Sequence, residues 1–286
     1  MQSEQSVEEW LKQNKITEVE CLVPDITGNA RGKFIPANKF VKEDSRLPEG
    51  ILAQTVTGEY SDDFWELLGT VDGDMLLEPD PSTMRRVPWA NEPTVQIIHD
   101  CFTKDGKPHP FSSRNVLKRI LALYEAEGLK PVIAPEVEFY LIGKNIDPDS
   151  ELKPPIGRSG RYETARQSYS IDAANEFEDF VETMYSYGGA MGLDLDTLIH
   201  ESGAAQLEVN FIHGDPLDLA DQVFTFKRLA REAALKHNIY ATFMAKPMAS
   251  EPGSAKHIHQ SVLSLEDGSN IFATADGEYS EAFYHY

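Results

Sequence analysis

Three stretches of this chain alternate with a period of two, and each gathers polar, chemistry-bearing residues on one side. In a β-strand, residues i and i+2 share a face about 6–7 Å apart. Pro135-Glu136-Val137-Glu138-Phe139 therefore sets two carboxylates opposite apolar side chains. In GAAQLEVNF, Gln206, Glu208 and Asn210 share one face and Leu207, Val209 and Phe211 the other, while Glu201, just after His200, adds a carboxylate upstream. In KHIHQS, His257, His259 and Ser261 align. Any one stretch alone is explained by an amphipathic edge strand with solvated charge. The segments KPVIA and FYLI around Glu136 and Glu138, however, read as an interior strand, where unpaired charge is costly.

Three strands presenting Glu/Glu, Glu/Gln/Glu and His/His/Ser on matching faces point to charge neutralised by metal. Carboxylate-rich donor sets with little imidazole favour Mg²⁺ or Mn²⁺ over zinc or copper. Such ions commonly serve phosphoryl transfer, so a nucleotide-dependent reaction is the leading expectation. The chain has no GxxxxGK[ST] loop, no GxGxxG after a strand, no HExxH and no GxSxG elbow, which removes the mechanisms built on those motifs.

Composition narrows the partners. Against 26 Lys and Arg stand 47 Asp and Glu, a formal net charge of -21, so long-range electrostatics oppose nucleic acid and anionic membranes. With 286 residues and 41% hydrophobic content the chain can bury real cores. Its two cysteines, Cys21 and Cys101, form no CxxC pair, which fits a reducing compartment without a disulfide framework or zinc site. The start MQSEQSVEEW lacks a basic, apolar leader, and no stretch approaches the roughly 18 uncharged apolar residues of a membrane span. A cytoplasmic location is expected.

The pattern divides the chain into an amino-terminal domain over 1–107 and a second domain over 108–286. VEEWLKQ reads as a helix, and EVECLVPD and ARGKFIP as a hairpin about the turn residues Asp25, Thr27, Gly28 and Asn29. Further strands are expected at ILAQTV (51–56), DMLLEP (74–79) and TVQIIHDCF (94–102). After KDGKPHPFSS, Ser112 or Ser113 caps a helix with an apolar stripe of Val116, Leu117, Ile120, Leu121 and Tyr124. Then come the strand KPVIAPEVEFYLI, a polar loop from 143 to about 170, and a helix carrying Phe177, Phe180, Val181, Met184 and Tyr185. A strand pair around 197–211, a helix from Pro216 to about His237, and strands IYATFMAKP and KHIHQSVLSL follow. The final EYSEAFYHY reads as a helix beginning without a stop signal, so the sequence is expected to be a carboxyl-terminally truncated piece of a longer protein.

The segments PDITGNARGKFIP, PEVEFYL, HESGAAQLEVNF, ATFMAKPM and GSAKHIHQS, taken in this order, resemble the glutamine synthetase family over nearly the whole chain. The resemblance implies an α+β protein: a small β-grasp amino-terminal domain, then a catalytic domain with an antiparallel sheet, here incomplete at the carboxyl end. It implies ATP and Mg²⁺ (or Mn²⁺) as cofactors and L-glutamate with ammonium or an amine as substrates, joined through γ-glutamyl phosphate. Carried over residue by residue, Glu138, Glu201 and Glu208 match ligands of the metal nearer the amino acid, and Glu136 and His257 those of the metal nearer the nucleotide. Catalytic His257 is thus a metal ligand, Ser261 and His259 lie on the nucleotide side, and Gly253 matches a glutamate-binding glycine. An unrelated metal hydrolase would share the carboxylates but not PDITGNARGK or FMAKPM.

Two departures bear on the reaction. Where ammonium-using members carry Asp-Gly-Ser-Ser, this chain has Thr57-Gly58-Glu59-Tyr60, which resembles the branch that ligates glutamate to amines, such as γ-glutamylpolyamine synthetases. An acidic surface would also attract a cationic polyamine. The family's later phosphate-clamping arginines have no counterpart here, and Arg158, Arg161 and Arg166 in the polar loop are not a replacement. A non-catalytic scaffold or regulatory relative is the alternative of a different class. The resemblance also implies a homo-oligomer, a dodecamer of two stacked hexameric rings.

Overall fold

The computed structural model describes residues 6–60, 63–69 and 71–285. The chain forms two compact units, Met1–Glu127 and Gly128–Tyr286. The helix after Ser112 thus belongs to the first unit.

In the first unit, helix α1 (Val7–Gln13) is capped by Ser6, whose hydroxyl accepts from the Glu9 N–H, and its first turn carries Glu8 and Glu9. Strands β1 (Glu18–Pro24) and β2 (Ala30–Pro36) form the expected hairpin, whose turn is held by the Asp25 carboxylate. The one-turn helix α2 (Ala37–Phe40), β3 (Ser45–Pro48), α3 (Phe64–Leu68), β4 (Asp74–Pro79), the short β5 (Arg85–Arg86), β6 (Thr94–Phe102) and α4 (Ser113–Ala126) follow. The sheet runs β2-β1-β6-β4-β3, with β5 also on β6; β1 and β6 are parallel and the other pairs antiparallel. Leu11, Ile16, Val19, Cys21, Val95 and Ile97 form one core cluster, and Val23, Leu52, Met75, Leu77 and Cys101 another. Both cysteines are free and buried, and burial pushes their thiols up to about 11 and about 12.

Two expectations fail here. ILAQTV is not a strand: Glu49–Ala53 is a 3₁₀ turn that drops Leu52 into the second cluster, and only Gln54 makes a bridge, to Tyr60. A short apolar run satisfies a buried turn as well as a strand, and sequence period does not separate them. On α4, Val116 and Ile120 stay exposed, and the buried residue is Arg114, which donates to Asp80 and Asp100.

The second unit is built on β7 (Leu129–Gly143), so long that three strands pair with it. After it come α5 (Ile171–Asn175), α6 (Glu178–Met191), β8 (Leu195–His200), β9 (Gln206–Phe211), α7 (Pro216–Lys236), β10 (Ile239–Thr242) and β11 (Lys256–Ser264). β9 lies antiparallel to β7 over Glu136–Tyr140 and is flanked by β8. β10 pairs with residues 140–143 of β7, and β11 with residues 129–137. Pro131 and Pro135 fall outside the β9 ladder, so neither missing N–H breaks it.

One face of this sheet is apolar. Phe139 packs edge-on against Phe180 of α6 and Phe226 of α7, with ring centroids 6.1 and 5.9 Å apart, and Phe226 also meets Phe211. Burying each such ring contributes about 2–3 kcal/mol. β10 ends at Thr242, because Phe243 turns into this cluster, 5.3 Å from Phe139, beneath the Arg231 guanidinium. Among the described residues after Ser280, Ala282–Tyr284 form a 3₁₀ turn in place of the expected helix. Among the described residues no helix is long and apolar enough to cross a membrane.

Candidate metal and substrate site

The opposite face of the β7 sheet collects the carboxylates. Residues 136, 138 and 140 point to one side by the pleat, and register sets their neighbours: Glu138 stands opposite Glu208, Glu136 opposite Asn210 on β9 and opposite His257 on β11. Ligand atoms of Glu136, Glu208 and His257 lie within 4.8 Å of one another, and so do those of Glu138, Glu201 and Glu208. Glu208 belongs to both groups and is 5% exposed. Burial, and then the charges of Glu136, Glu201 and Glu138, push its carboxyl up to about 7.

Glu136 is further oriented by the His259 Nε2 at 3.0 Å and by the Asn210 amide, which donates at 3.2 Å; His257 Nδ1 is 3.4 Å from it. His257 and His259 are themselves exposed. Ser261 lies further along β11, opposite Val132, and shares the histidines' face rather than the carboxylate cluster.

A second network ties Glu138 to the loop between β10 and β11. The Gln206 amide donates to Glu138 Oε2 at 2.8 Å and to the Gly253 carbonyl at 3.2 Å, and its oxygen accepts from the Gly203 N–H at 2.9 Å. Tyr140 Oη, 3.1 Å from that oxygen, donates to the Pro252 carbonyl at 2.7 Å. The Ala255 N–H donates to Glu138 Oε2 at 2.9 Å. Gly203 must be glycine, because a Cβ there would sit 2.0 Å from Tyr140 Oη.

The turn between β8 and β9 carries Glu201. Its His200 is wholly buried, with Nε2 3.0 Å from Glu163 and Nδ1 2.7 Å from the Glu201 carbonyl. Burial alone would lower the His200 pKa, but the Glu163 carboxylate and the Glu201 carbonyl and carboxylate together raise it. Period-two reasoning therefore placed Glu136, Glu138, Glu208 and His257, and extending it by one step reaches Tyr140. It did not reach Glu163, nor Glu251, whose carboxylate accepts the Ala204 N–H at 3.1 Å; both sit in loops without periodicity.

Four carboxylates with imidazole beside them form a hard, oxygen-rich donor set that fits Mg²⁺ or Mn²⁺. The antiparallel sheet thus concentrates four carboxylates on one face and packs α6 and α7 on the other. Residues 110–286 match the model of the glutamine synthetase catalytic domain, and the chain belongs to the glutamine synthetase family. It is 33% identical over 272 residues to the glutamine synthetase of Pyrococcus horikoshii, covering 94% of this chain and 56% of that protein. It is 33% identical over 286 residues to gamma-glutamylputrescine synthetase PuuA of Escherichia coli, covering 96% and 59%. A solved structure described as apo GmaS without ligand superposes with a TM-score of 0.78 at 25% identity, covering 94% and 59%. The chain thus spans less than two thirds of the length of these relatives.

Proposed function

We propose that this chain carries the metal- and glutamate-binding part of an ATP-dependent ligase that joins the γ-carboxylate of L-glutamate to an amine through γ-glutamyl phosphate. The observation that carries the reading is the pair of carboxylate groups sharing Glu208. Glu138, Glu201 and Glu208 would hold one divalent cation and Glu136, Glu208 and His257 a second. Such cations supply positive charge that screens the repulsion between a carboxylate nucleophile and the phosphates of ATP. The Tyr140–Gln206 network holds the Gly253 loop against Glu138, which orients a glutamate placed there, and His259 and Ser261 extend along β11 on the nucleotide side. Orientation of this kind supplies much of the rate in a reaction between two bound anions.

An amine acceptor is favoured by Thr57-Gly58-Glu59-Tyr60, where no carboxylate stands at the first position, and by the likeness to PuuA. Glutamine synthesis from ammonium is the second reading, supported by equal identity to the Pyrococcus enzyme. Assembly as a homo-oligomer, two stacked hexameric rings in a cytoplasmic protein, and the division into domains at 107/108 belong to the same proposal.

The test is ATP- and glutamate-dependent phosphate release by the full-length protein with Mg²⁺, comparing putrescine, spermidine and simple monoamines with ammonium. Release with amines above that with ammonium is expected. Release with ammonium alone would establish glutamine synthesis, and none with any acceptor a non-catalytic relative.

A further inference from the structure

The loop between β7 and α5 reads as solvated polar chain, yet one of its carboxylates is buried. The Glu163 side chain is 6% exposed and that of the histidine it meets is wholly buried. Glu163 Oε2 contacts His200 Nε2 at 3.0 Å and accepts the Ala205 N–H at 2.7 Å. These two residues bracket the turn that presents Glu201. The Glu201 N–H bonds the Gln206 carbonyl at 2.8 Å, and the His200 Nδ1 donates to the carbonyl of Glu201 itself. Ala205 holds a left-handed backbone, φ 57°, which a residue with a Cβ keeps only when its surroundings enforce it. A buried carboxylate accepting its N–H is such an enforcement. The Tyr169 N–H of the same loop donates to the His200 carbonyl, a second fastening beside Glu163, while the Ala204 N–H goes to Glu251 in the loop between β10 and β11.

From this we infer that Glu163 is a positioning residue for Glu201: a single buried carboxylate from a distant loop clasps both ends of the 200–205 turn and thereby sets where the Glu201 carboxylate stands relative to Glu138 and Glu208. The inference rests on the metal reading of that cluster. Outer partners that orient a metal ligand typically change metal affinity 10–100-fold when removed.

The experiment is titration of the 286-residue chain with Mn²⁺, followed by electron paramagnetic resonance of the free ion, for wild type, E163A, E163Q, E201Q and the E163A/E201Q pair. Circular dichroism of each variant identifies any that fails to fold, and E163Q, equal in volume, keeps the test open if E163A does not. Wild-type binding that E201Q weakens establishes the metal reading by itself. On that background, E163A is expected to weaken Mn²⁺ binding about 10-fold, E163Q less, and the pair no more than E201Q alone. Wild-type affinity in a folded E163A or E163Q, or a loss in the pair equal to the sum of the single losses, would overturn the role of Glu163 and leave the metal reading standing. Absence of Mn²⁺ binding in wild type would overturn both.

Discussion

Glu138 and Glu208 stand directly opposite one another on adjacent antiparallel strands, in the middle of a sheet whose other face is packed with phenylalanine. Like charges in that relation destabilise a sheet. The chain keeps them, and a third carboxylate beside them, at a site where Glu208 is 5% exposed.

Replacing Glu208 with glutamine is therefore expected to raise the stability of the metal-free chain by about 1 kcal/mol, since the amide keeps the volume and removes the repulsion. The same variant is expected to lose the rise in melting temperature that Mn²⁺ gives the wild type. Thermal denaturation with and without Mn²⁺ reads both effects, and an E208Q chain still stabilised by the ion to the wild-type extent would contradict them.

Tyr140→Phe removes the hydroxyl that holds the Pro252 carbonyl at 2.7 Å. A loss of about 1–2 kcal/mol is expected, because the carbonyl loses its donor in a half-buried setting. Amide exchange should quicken at residues 253–255 more than in α7, which shares no bond with Tyr140. Uniform quickening across the unit would mean the network does not act locally.

Gly203→Ala is expected to cost about 3 kcal/mol, because the added methyl overlaps Tyr140 Oη. The hydroxyl is the nearest of three clashing atoms, with Tyr140 Cζ at 2.7 Å and Gln206 Oε1 at 2.8 Å behind it, so Y140F should recover part of the loss, making the double variant more stable than the sum of the single effects. Denaturant unfolding of the four proteins measures the coupling; strict additivity would show that something other than the hydroxyl resists the methyl.

His99 in β6 is fully buried with Nδ1 donating to the Ile97 carbonyl at 3.1 Å, and burial lowers its pKa to about 4. The imidazolium is thus the disfavoured form in the fold, and the unfolded chain binds the extra proton between the ordinary value of 6.5 and about 4. Stability is full above pH 6.5 and falls by about 3 kcal/mol as pH drops to about 4, then levels off. The acid-side loss in wild type minus that in H99Q, from denaturant unfolding at pH 7 and pH 4, should equal that amount. Equal losses in the two chains would show that His99 is not responsible.

What could be read beforehand follows from how far each feature reaches along the chain. The helix after Asp215 was legible because cap, proline at the first turn and apolar stripe all lie within it. The 51–56 segment is not legible in the same way, because whether ILAQTV extends or turns depends on the pocket that receives Leu52, formed by β1, β4 and β6. Glu163 was invisible for the same reason: nothing near it in sequence distinguishes it from the solvated charges of its loop.

By itself the sequence determined which side of β7, β9 and β11 bears charge and which side packs, because strand alternation is a property of neighbouring residues. Tertiary structure alone decided that Glu138 faces Glu208 rather than Asn210, that Glu201 joins them, and that Glu163 reaches the turn behind it. Register and loop closure depend on contacts between residues far apart in the chain, and a slip of one residue would turn every one of these carboxylates to the other face.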